Sequence, residues 1–272
     1  MKLEPVTSKR SIRIDDKDAR LGGERKSDKA LERATAKQVE RICDLQRVFY
    51  ADERYAMLIV LQGRDASGKD GTVRKVFRGV NPQGCAVASF KAPTEHERHH
   101  DFLWRIHRQV PERGMIRIFN RSHYEDIIVP RVHELIPKKV WTARYDQIND
   151  FERMLSANGV IILKFFLHIS REEQKRRLLE RVTDETKNWK FREGDLDDRA
   201  NWDRFTKAYR GVLANTSTKW APWYVVPADD DDVRNWLIAR TVAETLGRLK
   251  LRYPKAEPAV LRKWRSRLEK AD

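Results

Sequence analysis

Cysteine is nearly absent, with only Cys43 and Cys85 in 272 residues. Two such residues exclude a disulfide framework, and their spacing excludes a cysteine-built metal site. Both exclusions point to a reducing compartment and a cytoplasmic location. Long apolar runs are missing as well. The most apolar stretch, 160–169, is interrupted by Lys164 and falls short of the roughly 20 residues that a bilayer-spanning helix needs. The opening 25 residues are polar and charged, without the apolar centre of a secretory signal. The chain therefore reads as soluble. It also lacks internal repeats and low-complexity linkers, so its length suits one large α/β domain with helical additions.

Acidic residues are outnumbered: 41 Asp and Glu face 56 Lys and Arg, for a formal net charge of +15. A surplus of that size calls for a polyanionic partner, whether nucleic acid, an anionic membrane or polyphosphate, without choosing among them.

The stretch around which the chain is organised begins with the apolar run Met57-Leu58-Ile59-Val60-Leu61, which predicts a buried parallel strand. Residues 63–69 then fit G-x-x-x-x-G-K, a loop whose backbone N–H groups cradle phosphate oxygens. Glycine permits close backbone approach to an anion, and Lys69 is placed to reach the phosphates nearest the transferred group. The residues from Val73 onward open a helix whose N-terminus favours anions. The phosphate-contacting set expected here is Gly63, Ala66, Ser67, Gly68, Lys69, Asp70, Gly71 and Thr72.

The loop departs from the common pattern at two places. Asp70 stands where Ser or Thr normally supplies a metal-binding hydroxyl, and Asp65 lies inside the loop itself. A carboxylate among phosphates is repelled unless a cation sits between them, so Asp65 is expected to hold Mg²⁺ directly or through water. The plainer alternative is that Asp65 stabilises the turn.

The first 25 residues form a loose or draped arm. Helical spacing of apolar residues predicts a helix over 27–50. Strands are predicted at 85–90, 114–119, 160–167 and 223–228. Helices are predicted from about 94 to 110, over 172–182 and over 233–251. Strands alternating with helices argue for a mostly parallel sheet covered on both faces, with ligands beyond the carboxyl ends of the strands. The glycine loop, the segment 120–124 and the start of the 172–182 helix then share one edge.

Three further stretches carry candidate chemistry. His96-Glu97-Arg98-His99-His100 matches H-E-x-x-H, the helical zinc site of metalloproteases. No third ligand is evident, and a polar helix near an anionic site is the plainer reading. In Asn120-Arg121-Ser122-His123-Tyr124-Glu125-Asp126, Asn120 occupies a strand end where phosphate-loop enzymes often place an acid, and Arg121 suits a phosphate clamp. Ser122 and Glu125 also have the spacing of a capping box. Arg171, Lys175, Arg176, Arg177 and Arg181 crowd the 172–182 helix, either as cations for transferring phosphates or as a salt-bridged surface. The long charged excursion that follows, with Trp189, Phe191, Gly194 and Trp202, is a candidate lid.

Taken together these motifs resemble the family-2 polyphosphate kinases over about residues 30–253. The resemblance rests on Gly63-Arg64-Asp65-Ala66-Ser67-Gly68-Lys69-Asp70-Gly71, on the 119–126 segment and on Asp101-Phe102-Leu103-Trp104-Arg105. Asn188-Trp189-Lys190-Phe191 and Lys219-Trp220-Ala221-Pro222-Trp223 extend it. It implies an α/β fold: a three-layer α/β/α phosphate-loop kinase with a mostly parallel five-stranded sheet and a helical lid, assembled into homo-dimers or tetramers. The divisions expected are an arm at 1–25, the kinase domain at 26–253 with its lid near 183–215, and a basic tail at 254–272.

The implied activity is reversible phosphoryl transfer between inorganic polyphosphate and AMP, ADP or ATP, requiring Mg²⁺ with Mn²⁺ as a substitute. By position, Asp65 corresponds to the metal-associated acid and Lys69 to the phosphate-binding lysine. Arg121 and Arg181 correspond to phosphate-contacting arginines, with Arg131 a further candidate. Asn120, Glu125 and Asp126 are nucleotide-side candidates, and Asn120 a second metal candidate. The Asn…Glu-Asp version is similar to the subgroup that phosphorylates both AMP and ADP. Polyphosphate then accounts for the basic surplus without nucleic acid or membrane as partner. The alternatives are a conventional ATP-dependent nucleotide kinase and a nucleic-acid-binding phosphate-loop protein.

Overall fold

The computed structural model describes residues 2–9, 12–22 and 27–271. Strand β1 (Ala56–Gly63) is buried at every position. Its side chains alternate between two cores, as the two-residue period of a strand requires. Leu58 and Val60 enter one core, and Met57, Ile59 and Leu61 the other. Both faces of the sheet must therefore be covered by helices, which makes three layers.

In chain order the elements are α1 (Asp28–Asp52), β1, α2 (Lys69–Val76), β2 (Cys85–Ser89), α3 (Glu95–Arg98), α4 (Trp104–His107), β3 (Ile116–Asn120), α5 (Glu125–Val132) and α6 (Lys138–Ala157). There follow β4 (Val160–His168), α7 (Arg171–Thr183), α8 (Gly194–Ala200), α9 (Trp202–Thr216), β5 (Trp223–Pro227), α10 (Asp231–Gly247) and α11 (Pro258–Leu268). All strands are parallel, in the order β2-β3-β1-β4-β5. The chain leaves β1, crosses to the edge, returns to β3 beside β1, and only then moves to β4 on the other side. The loop after β1 thus opens at the point where strand order reverses, the usual ligand crevice of such sheets. Buried residues of α1, α2 and α10 supply one core, and those of α5, α6 and α9 the other.

Two expectations change, the long helix before β3 and the extent of the excursion after α7. The helix expected through residue 110 is two short turns, α3 and α4. Thr94 and Glu97 form a capping box that starts the first, but the Asp101 carboxylate accepts from the Leu103 N–H at 2.9 Å and begins a new turn. Of the two forms expected for the arm, its described residues take the draped one: Leu3, Val6, Ile12 and Ile14 are buried, and the Val6 N–H donates to the Trp223 carbonyl at 2.8 Å. Of the 183–215 excursion, α9 belongs to the core through Phe205, Ala208, Tyr209, Val212 and Leu213. Trp189, at 77% exposure, and Leu196 lie in the part that stands clear. In the tail, α11 buries none of its residues.

Lys164, which breaks the apolar β4 pattern, is fully buried and fully partnered. Its ammonium donates to the Glu152 carboxylate at 2.6 Å, the Tyr124 hydroxyl at 2.7 Å and the Thr216 carbonyl at 2.7 Å. His123 joins the same carboxylate at 3.2 Å. A buried cation is tolerable only with such partners.

Candidate active site

The loop between β1 and α2 packs too closely for ordinary side chains at two positions. A Cβ on Gly63 would stand 2.6 Å from the Leu167 carbonyl oxygen. On Gly68, with φ +92°, it would stand 2.1 Å from Arg234 Nη1. Ala66 adopts φ +63° without being glycine. Left-handed residues at 66 and 68 within the loop are the backbone pattern of an anion nest, with the Ser67 N–H bonded back to the Arg64 carbonyl at 3.2 Å.

Lys69 is buried and folded back on the loop. Its ammonium donates to the carbonyls of Gly63 at 2.7 Å and Arg64 at 3.0 Å, and to Ser67 Oγ at 3.4 Å. Burial, with Arg121 nearby, lowers its pKa to about 8, against the pull of Asp65. Burial alone would raise the Asp65 pKa, but Arg121, Lys69 and Arg181 outweigh it and hold the carboxyl below its ordinary range. Arg121 bonds to Asp65 and lies 3.5 Å from Glu125, and these acids push its pKa upward. Asp65, Lys69 and Arg121 are therefore one charge cluster, and Arg181 acts on it from α7.

The other candidates differ in whether they touch that cluster. Glu125 accepts from Gln62 and faces Arg121. Asn120 donates its amide to Asp70 at 2.5 Å. Arg181 pairs with Asp195 of α8 at 3.2 Å, tying α7 to the next helix. Thr72 accepts from Arg234 Nε at 2.8 Å, behind the loop. Asp126 turns toward Arg105 at 3.1 Å, and burial raises its pKa. Arg131 stacks 4.7 Å from the Trp141 ring and lines a separate cleft of about 620 Å³ with Glu134 and Lys138, which shares no lining residue with the loop site.

Two sequence alternatives are overturned. Ser122 and Glu125 do not form a capping box: the Ser122 hydroxyl donates to Gln62 at 3.2 Å, and Glu125 is taken by Gln62 and Arg121. The H-E-x-x-H stretch is no zinc site, since α3 stops at Arg98 and Glu97 caps it. His100 stacks on Trp104 at 4.0 Å. Among the described residues no group of three or more His, Cys, Asp or Glu could hold a metal ion. The oxygen donors at the loop instead suit a hard cation held by a carboxylate together with phosphate oxygens and water, the way Mg²⁺ is commonly bound. Asp65 offers the carboxylate inside the loop, and Arg121 engages it in this arrangement. Among the described residues, the Asn120 side-chain amide bonds to Asp70 alone.

Sequence reasoning passed over Arg64, Gln174, Tyr209 and Asp198, which line the site with Gly63, Asp65, Arg121 and Glu125. Arg64 lies 3.8 Å from the Trp202 ring and bonds to Thr206, joining the loop to α9. Its place inside the glycine motif was the available signal. Gln174 donates to the Asp65 carbonyl at 3.2 Å, from the helix already marked by its arginines.

A parallel sheet in this order, carrying a glycine-lysine anion nest ringed by arginines at its switch point, defines a phosphate-loop kinase. The chain belongs to the polyphosphate kinase 2 family, whose model matches residues 25–253. It is 51% identical over 245 residues to an AMP/ADP-polyphosphate phosphotransferase of Meiothermus ruber, covering 90% of each chain. It is 47% identical over 234 residues to an ADP-polyphosphate phosphotransferase of Rhodopseudomonas palustris, covering 82% of this chain and 81% of the relative. The crystal structure of polyphosphate kinase 2 from Arthrobacter aurescens superposes with a TM-score of 0.84 at 37% identity, covering 98% of this chain and 99% of that one.

Proposed function

We propose that this chain transfers phosphoryl groups reversibly from inorganic polyphosphate to AMP and to ADP, so that it can build ATP from AMP. The observation that carries the reading is the half-identity, over nine-tenths of both chains, to a relative named for both acceptors. The cluster of Asp65, Lys69, Arg121 and Arg181 gives that reading a mechanism.

An in-line phosphoryl transfer needs positioning and charge neutralisation rather than a covalent protein intermediate. The loop N–H groups at 66 and 68–70 hold one phosphate, while the Ser67 N–H stays on the Arg64 carbonyl. Lys69 exchanges its bonds to the loop carbonyls for bonds to phosphate oxygens. Arg121 releases Asp65 and, with Arg181 from α7, neutralises the transferring group. Glu125 holds Arg121 in reach throughout. Asn120 and Asp126 stand on the nucleotide side, Asp126 by fixing Arg105. Asp65 would hold Mg²⁺ together with substrate oxygens, and the ion would supply further neutralisation of the phosphate oxygens. Arg131 and its cleft at the end of α5 accommodate phosphates farther along the polyphosphate.

Incubation with polyphosphate, Mg²⁺ and AMP, without ATP, tests this by chromatography. ADP and then ATP are expected to appear. ADP alone removes the second acceptor, and turnover only when ATP replaces polyphosphate makes the chain a conventional nucleotide kinase.

A further inference from the structure

Two arginines bond to backbone carbonyls of the phosphate loop. Arg177 of α7 donates Nη1 to the Ala66 carbonyl at 3.1 Å. Its Nη2 donates to the carbonyls of Ala228 at 2.9 Å and Asp229 at 2.8 Å, beyond the end of β5. Arg234 of α10, fully buried, donates Nε to Thr72 at 2.8 Å and Nη1 to the Ser67 carbonyl at 3.5 Å. Asp231 bonds to both guanidiniums, at 3.0 Å from Arg177. When N–H groups turn into a nest, their neighbouring carbonyls turn out of it and need donors. A planar guanidinium can satisfy several such oxygens at fixed angles.

Ala66 sharpens the point. A non-glycine residue at φ +63° is disfavoured and persists only where its surroundings hold it. The Arg177 bond to its carbonyl is such a restraint. Arg177 also sits one helical turn before Arg181, so one helix carries both the restraint on the loop and an arginine that acts on the charge cluster.

We propose that Arg177 is a positioning residue: backed by Arg234, it holds the left-handed turn at Ala66 and so keeps the phosphate loop ready for anions before substrate arrives. This rests on the phosphotransferase reading only for its activity assay. The strain at residue 66 supplies a test that general destabilisation does not mimic. Arg177→Ala is expected to lower kcat/KM about tenfold, chiefly by raising KM for polyphosphate. In an Ala66→Gly background, where the left-handed conformation needs no restraint, the same change is expected to cost under threefold. Equal losses in the two backgrounds overturn the proposal, because Arg177 then acts only through the stability of α7. If Arg177→Ala does not melt cooperatively, Arg177→Lys replaces it in the same cycle. Lysine keeps the charge beside Glu173 but cannot span three carbonyls. Running the cycle on tripolyphosphate binding by calorimetry separates the two readings. Unequal binding losses with an enzyme that makes no ADP or ATP uphold the loop restraint and sink the activity.

Discussion

Lys69 meets two opposed demands. It must be charged to attract phosphate, yet it is buried beneath its own loop, and its pKa falls to about 8. Below that value it is an ammonium ready to exchange carbonyls for phosphate; above it the free enzyme loses the charge. We therefore expect kcat/KM for polyphosphate, which reports the free enzyme, to fall as pH rises through about 8. Lys69→Arg should carry that limb upward, and an unshifted limb would assign it to another group. Stability has the opposite sign. Between about 8 and 10.5 the unfolded chain holds a proton that the folded loop releases, so the cost of burying the charge is relieved as pH rises. Lys69→Ala should accordingly lower turnover by orders of magnitude with no loss of melting temperature. The place of Lys69 and Asp65 in the loop was legible because the motif fixes it by local spacing. Arg234 was not, because its partners Ser67 and Thr72 lie far back along the chain and only α10 packing brings them together.

Helices differed in how much their sequences disclosed. The 3.6-residue apolar spacing of α1 was plain, whereas α9 hid its core role inside a charged excursion. Its Phe205, Tyr209, Val212 and Leu213 become one buried face only when α5 and α6 are placed beside it. The end of α9 is held by the Lys164 ammonium on the Thr216 carbonyl, a cation at a helix C-terminus. That lysine depends in turn on Glu152 of α6. Removing one partner of a buried pair strands the other, at a cost of about 3–5 kcal/mol. Glu152→Gln should therefore lower the urea midpoint by a matching amount, with α9 loosened. The double change Glu152→Gln with Lys164→Met should recover part of the loss. If the single and double variants unfold together, the network is not what anchors α9.

At the scale of the whole molecule, the alternation of strands and helices disclosed the sheet, and composition disclosed the excess of base. Neither could disclose how far that charge serves one ligand, since many arginines are neutralised locally: Arg176 and Arg177 share Glu173, and Arg105 holds Asp126. The formal +15 is thus spread over a surface where only part of it faces the phosphate loop. Salt dependence separates the two parts. Each polyphosphate charge neutralised on binding releases condensed counterion, and by analogy with single-stranded nucleic acid this contributes a slope of about −0.7 in log affinity against log salt. Contacts confined to the loop cluster would give tripolyphosphate and long-chain polyphosphate the same slope. A groove extending past Arg131 gives the long chain a steeper one, by about one such increment for each added contact. We expect the steeper slope for long chains, read as KM against salt. Arg131→Ala should lower it by about one increment while leaving the tripolyphosphate slope in place. Identical slopes for the two lengths would confine recognition to the loop, and the basic surplus would then need another explanation.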